Sequence, residues 1–144
     1  MIAKLLIAFS LMALCVTVHA MGLIAVFRRM HARPAHAAWD FWPSTLVLIR
    51  IASWTVFLHL LQILIWAFLY ACRGAMPDFT TAAYFSAVTY TTTGYGDLVL
   101  PKEWRLVGGV EALTGILMCG LSTGMFFAVF TKVFGLGRDH DASA

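Results

Sequence analysis

The sequence has few charged residues, and it shows no cluster of residues of the kind that catalysis or metal binding requires. Only 12% of its 144 residues are charged, 61% are hydrophobic, and the mean hydropathy is +0.84. The three cysteines have no paired spacing, so neither a disulfide framework nor a metal site is indicated. No hydroxyl nucleophile has an identifiable base, and the net charge of +3 is confined to the ends of apolar runs. We therefore expect a lipid bilayer as the environment, with no enzyme activity, cofactor, small-molecule substrate or nucleic-acid partner.

Three apolar segments are long enough to cross that bilayer. A membrane helix needs roughly 20 apolar residues to cross a hydrocarbon core of about 30 Å, and residues 5–27, 46–72 and 104–134 reach that length. A fourth apolar stretch, 79–90, is too short to cross and is expected to be re-entrant, with Asp78 as its N-cap. The sequence predicts an all-α membrane protein with three transmembrane helices and one half-length helix.

Lysine and arginine side chains indicate which ends of the spans face the cytoplasm. They concentrate between the first and second spans and after the third: Arg28, Arg29 and Arg33, then Lys132 and Arg138. By the positive-inside rule, the 28–45 loop and the C-terminus are cytoplasmic, and the N-terminus and the loop around residues 91–97 lie outside the cell membrane. The alternative is a signal peptide cleaved near residues 18–20, which would require the arginines after the first span to be translocated.

The most specific signal follows the short stretch directly. Residues 91–97 read T-T-T-G-Y-G-D, and irregular backbone at membrane depth survives only when it is buried in protein or lines a watery path. Between two spans, this segment resembles the pore loop of potassium channels, whose signature T-V-G-Y-G-D is matched except that Thr93 replaces valine. The resemblance covers about residues 46–134 and takes in both spans and the stretch between them.

The resemblance implies a potassium-selective ion channel in which backbone carbonyl oxygens replace the hydration shell of the ion. The implied selectivity filter is Thr92, Thr93, Gly94, Tyr95 and Gly96, with K⁺ held at the first four of these residues. The two glycines can take positive φ angles at little steric cost, and the side chains of Thr93 and Tyr95 are expected to pack behind the loop. Because the family builds one filter from four such loops, the resemblance implies a homotetramer, with K⁺ as the permeant ion and no cofactor.

The resemblance also points to side chains that support the filter, namely Asp97, Tyr84, Phe85, Val88 and Glu111. Tyr84 and Phe85 stand where the family has an aromatic cuff, and we expect the Tyr84 hydroxyl either to bond Asp97 or to be merely interfacial. Val88 stands where some bacterial relatives carry a glutamate, so their carboxyl pair is absent. Glu111 is the lone acid inside a span, and we expect it either to brace the short helix or the filter, or to sense protons.

The third span resembles the inner helix of the family. One face of it is expected to line the ion cavity and comprises Ile116, Cys119, Thr123 and Phe127. Phe127 is expected either to form an apolar gate or to pack against lipid or a neighbouring helix. Gly115 occupies the hinge position of the family, and close helix packing is the equal alternative.

Polar side chains also interrupt the first two spans. His59 and Gln62 lie on one face of the second span, where we expect them to reach Glu111 or the first span, or simply to be satisfied core groups. His19 in the first span suggests no chemistry. Because the first span has no ladder of arginines, it is not a voltage sensor.

The predicted organisation has three parts. Residues 1–45 form an N-terminal transmembrane helix with a basic loop, 46–134 form the pore domain, and 135–144 form a short cytoplasmic tail. Two other functions stay open: a less selective cation channel, because Thr93 is not valine, and a non-conducting membrane scaffold or regulatory subunit that retains the loop.

Overall fold

The computed structural model describes residues 2–31 and 41–134, and all regular structure in these residues is helical. The elements are α1 (Ile2–His31), α2 (Phe41–Cys72), α3 (Phe79–Tyr90), a single 3-10 turn (Lys102–Trp104) and α4 (Arg105–Val133). Three of the helices are long and apolar enough to span a membrane. The predicted all-α membrane fold is therefore confirmed. The predicted tail 135–144 and Arg33 in the predicted basic loop lie outside the described residues.

The start of α2 differs from the prediction. The helix begins at Phe41, before the predicted start of the span at residue 46. Pro43 lies in its first turn, where a missing N–H costs no helical hydrogen bond. The Thr45 hydroxyl adds a bond of 2.9 Å to the Phe41 carbonyl. The apolar span was therefore predicted correctly, and the prediction missed only the more polar turn that precedes it.

Helix α3 has the predicted bounds and the predicted cap. Asp78 lies in extended backbone conformation, and its carboxylate accepts hydrogen bonds from the Thr81 N–H at 2.8 Å and from the Thr81 hydroxyl at 2.7 Å. These bonds hold the pKa of Asp78 below its usual value. The cap satisfies one of the free N–H groups that every helix start leaves, and so it fixes where α3 begins.

Helix α3 packs between α2 and α4, and α1 packs against α2 and α4. Large apolar and aromatic side chains from all four helices share one core. At one end of the bundle, the Lys4 ammonium lies 4.4 Å from the centroid of the Trp104 ring, a cation–π distance. The N-terminus of α1 and the segment between α3 and α4 therefore lie at the same end of the protein.

Candidate functional site

The segment after α3 begins with a tight turn that folds back on the helix. The Thr92 N–H donates to the Thr89 carbonyl at 3.0 Å, and the Thr93 N–H donates to the Val88 carbonyl at 3.0 Å. Thr92 itself has φ of +59°. This is the Schellman pattern that closes many helices, with threonine in the position that glycine usually takes. A β-branched residue in the left-handed region is strained by about 1–2 kcal/mol, and such strain is typical of functional segments.

The predicted filter residues continue from this turn without helical structure. Gly94 and Gly96 have φ of +56° and +78°, as their residue type allows. A Cβ added at either glycine would meet no atom within 4 Å, so glycine is required here by backbone conformation and not by space. Every residue from 91 to 97 is exposed in the single chain. The left-handed positions at 92, 94 and 96 alternate with residues of ordinary φ.

The side chains of Thr93 and Tyr95 are uncovered in the single chain. The Tyr95 side chain is 71% exposed, and Thr93 is exposed, with its hydroxyl 2.9 Å from the Thr91 hydroxyl. The expected packing behind the loop belongs to a filter built from four chains, so it stays a prediction.

Of the two alternatives for Tyr84, the structure has the hydrogen bond to Asp97, which joins α3 to the end of the glycine-containing segment. The Tyr84 hydroxyl donates to a carboxylate oxygen of Asp97 at 2.8 Å, and Tyr84 remains 43% exposed. Phe85 is buried, and the edge of its ring meets the Tyr70 ring at a centroid distance of 5.4 Å. Val88 contributes through its backbone, since its carbonyl accepts from the amides of the turn. α3 is thus joined to both ends of the segment.

Glu111 lies at the junction of three helices and is fully buried. The Tyr70 hydroxyl of α2 donates to one of its oxygens at 2.7 Å, and the Ser86 hydroxyl of α3 donates to the other. The Ser86 hydroxyl also lies 2.9 Å from the Ile63 carbonyl. The contact with α3 agrees with the expected brace, whereas Tyr70 and Ser86 were not foreseen as its partners.

The predicted cavity-lining face of α4 is open in the single chain. All four of its residues are exposed: Ile116, Cys119, Thr123 and Phe127. Phe127 is 67% exposed although it is aromatic. The expected lining role of this face therefore stays a prediction.

Gly115 lies where α4 meets the end of α3. A Cβ at this position would collide with the Tyr90 carbonyl group, its oxygen included. Close packing therefore has a direct structural reason, and the hinge stays a prediction.

Sequence reasoning missed one cluster of polar groups inside the bundle. His19 was assigned no chemistry, and its contacts were not foreseen: its side chain is fully buried and lies within hydrogen-bond distance of Gln62 and Ser122. Gln62 reaches the first span, as one of the alternatives predicted, and His59 contacts Tyr90 and Ser122 rather than Glu111. A lone histidine in a charge-free span was the available signal, because buried polar groups are almost always satisfied.

Within residues 2–31 and 41–134, no group of three or more histidine, cysteine, aspartate or glutamate side chains could hold a metal ion. The chemistry that the site offers is that of backbone carbonyl groups, hydroxyls and one buried carboxyl group.

Taken together, a half-length helix between two spanning helices and a glycine-containing segment at its end define a membrane protein of the pore-forming class. A comparison with family models places the chain further: the model described as "Ion channel" matches residues 44–132, more than half of the chain. The protein belongs to this ion channel family and is an integral membrane protein. Neither the curated proteins nor the solved structures contain a match to the chain.

Proposed function

We propose that the chain is one subunit of a homotetrameric potassium channel that conducts K⁺ passively across the cell membrane. The observation that carries the proposal is the backbone of residues 92–96, which leaves α3 through a left-handed threonine and has both glycines at positive φ. Alternating left-handed positions allow successive carbonyl groups to face one axis. Such rings of carbonyl oxygens replace the hydration shell of K⁺ in selective filters.

The ion sites would be formed by the carbonyl oxygens of Thr92, Thr93, Gly94 and Tyr95, with the Thr92 hydroxyl adding a ligand at the inner end. This role gives a reason for a strained threonine where glycine would fit the turn more easily. Thr92→Gly would relax the turn but would remove that hydroxyl. The negative end of the α3 dipole, at Tyr90, favours a cation in the cavity below the filter.

Four copies explain the surfaces that one chain leaves uncovered. One chain supplies a single filter segment, and its Tyr95 and Phe127 side chains are 71% and 67% exposed. In a tetramer, Thr93 and Tyr95 would pack against the neighbouring subunit, and the Ile116 to Phe127 face of α4 would line the cavity. Phe127, the residue of that face furthest from the filter, would form an apolar constriction that gates by loss of water.

The proposed orientation follows from the basic residues. Arg28 and Arg29 at the end of α1 and Lys132 in the last turn of α4 lie at the end of the bundle away from Lys4 and Trp104. By the positive-inside rule that end is cytoplasmic. The filter segment and the N-terminus are then outside.

Potassium flux from liposomes that contain the purified protein tests the proposal, with sodium flux measured in parallel. The sharpest variant is Gly94→Asp, which we expect to abolish K⁺ flux. Gly74→Asp is its matched control, because Gly74 also has a positive φ, +63°, with no atom within 4 Å of an added Cβ, but lies in the turn after α2. Both variants strain the backbone similarly. Equal flux in the two variants, or no K⁺ flux in the parent protein under any condition, would contradict the proposal and favour a non-conducting scaffold.

A less selective cation channel is the second candidate. The observation that favours it is the hydroxyl of Thr93, which lies 2.9 Å from that of Thr91 where the family signature has a valine methyl group. A polar side chain beside the carbonyl column can alter how firmly the column is held. Reversal potentials in mixed potassium and sodium solutions separate the two functions, and Thr93→Val should raise selectivity only if the second one holds.

A further inference from the structure

Five polar side chains from all four helices close a ring of hydrogen bonds in the middle of the bundle. The ring runs from His19 to Gln62, Tyr90, His59 and Ser122 and back to His19, over distances between 2.8 and 3.1 Å. His19 and Gln62 are fully buried, and Tyr90 is 1% exposed. Helix α1, which contributes His19, lies outside the two-helix pore that the family match covers.

With the Gln62 amide oriented as it is in the structure, the direction of each bond follows from the two that this amide makes, and the opposite orientation would reverse every bond and exchange the two tautomers. The amide oxygen of Gln62 accepts from the Tyr90 hydroxyl at 2.8 Å, so its N–H faces Nδ1 of His19 at 2.8 Å. His19 Nδ1 must then be the acceptor, and its Nε2–H donates to the Ser122 hydroxyl.

The other half of the ring completes the same pattern. The Tyr90 hydrogen is already used, so the Tyr90 oxygen accepts from His59 Nδ1–H at 3.1 Å. The Ser122 hydroxyl donates to His59 Nε2 at 3.1 Å. Every link has one donor and one acceptor, and all bonds run in one sense around the ring. Such an arrangement requires both histidines to be neutral, with opposite tautomers, because one more hydrogen would have no acceptor in the ring.

We propose that this ring makes His19 and Gln62 positioning residues for the filter: they hold Tyr90, the last residue of α3, in the place from which the filter segment starts. The inference rests on the proposed function. Tyr90 is two residues from Thr92, and its carbonyl lies against Gly115 of α4, so a displaced Tyr90 side chain displaces the start of the ion path. Helix α1 therefore helps to position the filter segment and does not only flank the pore.

Among the residues that the structure describes, no charged side chain forms a hydrogen bond with a member of the ring. The ring of His59 lies 5.1 Å from that of His19. Glu111, the acid of α4, is bonded to Tyr70 and Ser86 instead. Removing a member of the ring therefore leaves a buried donor or acceptor unpaired, and such a loss typically changes an equilibrium by about tenfold.

The test measures K⁺ flux per folded oligomer in liposomes. We expect His19→Phe and Tyr90→Phe each to lower it by about tenfold, and the double variant to show about the same loss and not the product, because both changes cut the same path from α1 to α3. Thr17→Val is the matched control on α1, since the Thr17 hydroxyl is exposed and bonds only the Ala13 carbonyl. It should leave the flux unchanged.

Nitrogen NMR of histidine-labelled protein supplies a second readout. We expect His19 to carry its hydrogen on Nε2 and His59 on Nδ1, with the His59 signal disturbed by His19→Phe although the two residues lie on different helices. The inference is overturned if the single variants conduct as well as the Thr17→Val control, or if the loss of flux in the double variant is the product of the two single losses. In either case K⁺ flux through the parent protein still supports the proposed function. A parent protein without K⁺ flux overturns both.

Discussion

Gly115→Ala should weaken the contact between α4 and the end of α3. A Cβ at this position would lie 2.8 Å from the carbonyl carbon of Tyr90 and 3.3 Å from its Cα, and it would overlap the carbonyl oxygen. Backbone cannot swing aside as a flexible side chain does. We therefore expect α3 and α4 to separate locally, which also disturbs the packing around Tyr90.

Overpacking of this kind costs about 1–3 kcal/mol in the free energy of unfolding, which corresponds to roughly a 5- to 150-fold loss in the ratio of folded to unfolded protein. Alanine is intrinsically better than glycine inside a helix by about 1 kcal/mol, so part of the loss is offset. Gly109→Ala is the matched control, because it makes the same change in the same helix where no atom lies within 4 Å of the added Cβ. The difference between the two variants isolates the clash.

Unfolding of the purified protein in mixed micelles, titrated with a denaturing detergent, measures that difference, and K⁺ flux is recorded on the same samples. We expect Gly115→Ala to be the less stable variant and to lose flux. Two variants of equal stability, with altered channel opening in Gly115→Ala alone, would refute the packing argument and favour the hinge.

The remaining predictions concern the buried Glu111 carboxyl group, the Asp78 cap of α3 and the left-handed Thr92. Glu111→Leu leaves the hydroxyls of Tyr70 and Ser86 without their carboxyl acceptor and should lower the free energy of unfolding by about 1–3 kcal/mol. Glu111→Gln keeps an acceptor oxygen and should lower it less, and the detergent titration measures the free energy of unfolding of both variants. Because the pKa of Asp78 is depressed in the folded state, the cap stabilises the protein at pH values above the unfolded-state pKa, and this stabilisation is lost as the pH falls through the folded-state pKa. Asp78→Asn should therefore reduce the fall of the melting temperature at acid pH, measured by thermal melts at a series of pH values. Thr92→Gly should raise thermal stability by relieving the left-handed strain while lowering the ratio of K⁺ to Na⁺ permeability; unchanged selectivity would contradict the ligand role of its hydroxyl.

The bounds of α3 show how far local signals reach. Its length and the cap at Asp78 predicted Phe79–Tyr90, because a cap is a bond between residues three positions apart. The conformation of Thr92 could not be predicted in the same way. Threonine avoids positive φ, and backbone bonds from Thr92, Thr93 and Gly94 back to α3 hold it there.

Glu111 and Gly115 illustrate the next level. One prediction from the sequence was that Glu111 braces the short helix or the filter, which suggested contact with α3 but could not name Ser86 or Tyr70 as partners. For Gly115 it left hinge and packing equal. The answer depends on how closely α3 approaches α4, a distance that no pattern within α4 records.

The sequence contained a signal for a polar cluster at His19, but it could not identify the bonds of the ring. Its bonds join residues 28 to 103 positions apart. In a soluble helix an apolar stripe indicates which side faces the core, but α1, α2 and α4 all expose large apolar side chains, since lipid covers the outer surface. Their rotation about their own axes is thus not readable from hydrophobicity.

The amino-acid sequence alone determined the number of spans, the half-length helix and the place of the glycine-containing segment, because these depend on the length of apolar runs against a bilayer and on bonds between near neighbours in the chain. Tertiary structure decided which buried polar groups form hydrogen bonds with one another, and it decided that α3 approaches α4 so closely that only glycine fits at position 115. Those features arise only when separate helices meet at a particular rotation and distance, and packing among all four helices sets both.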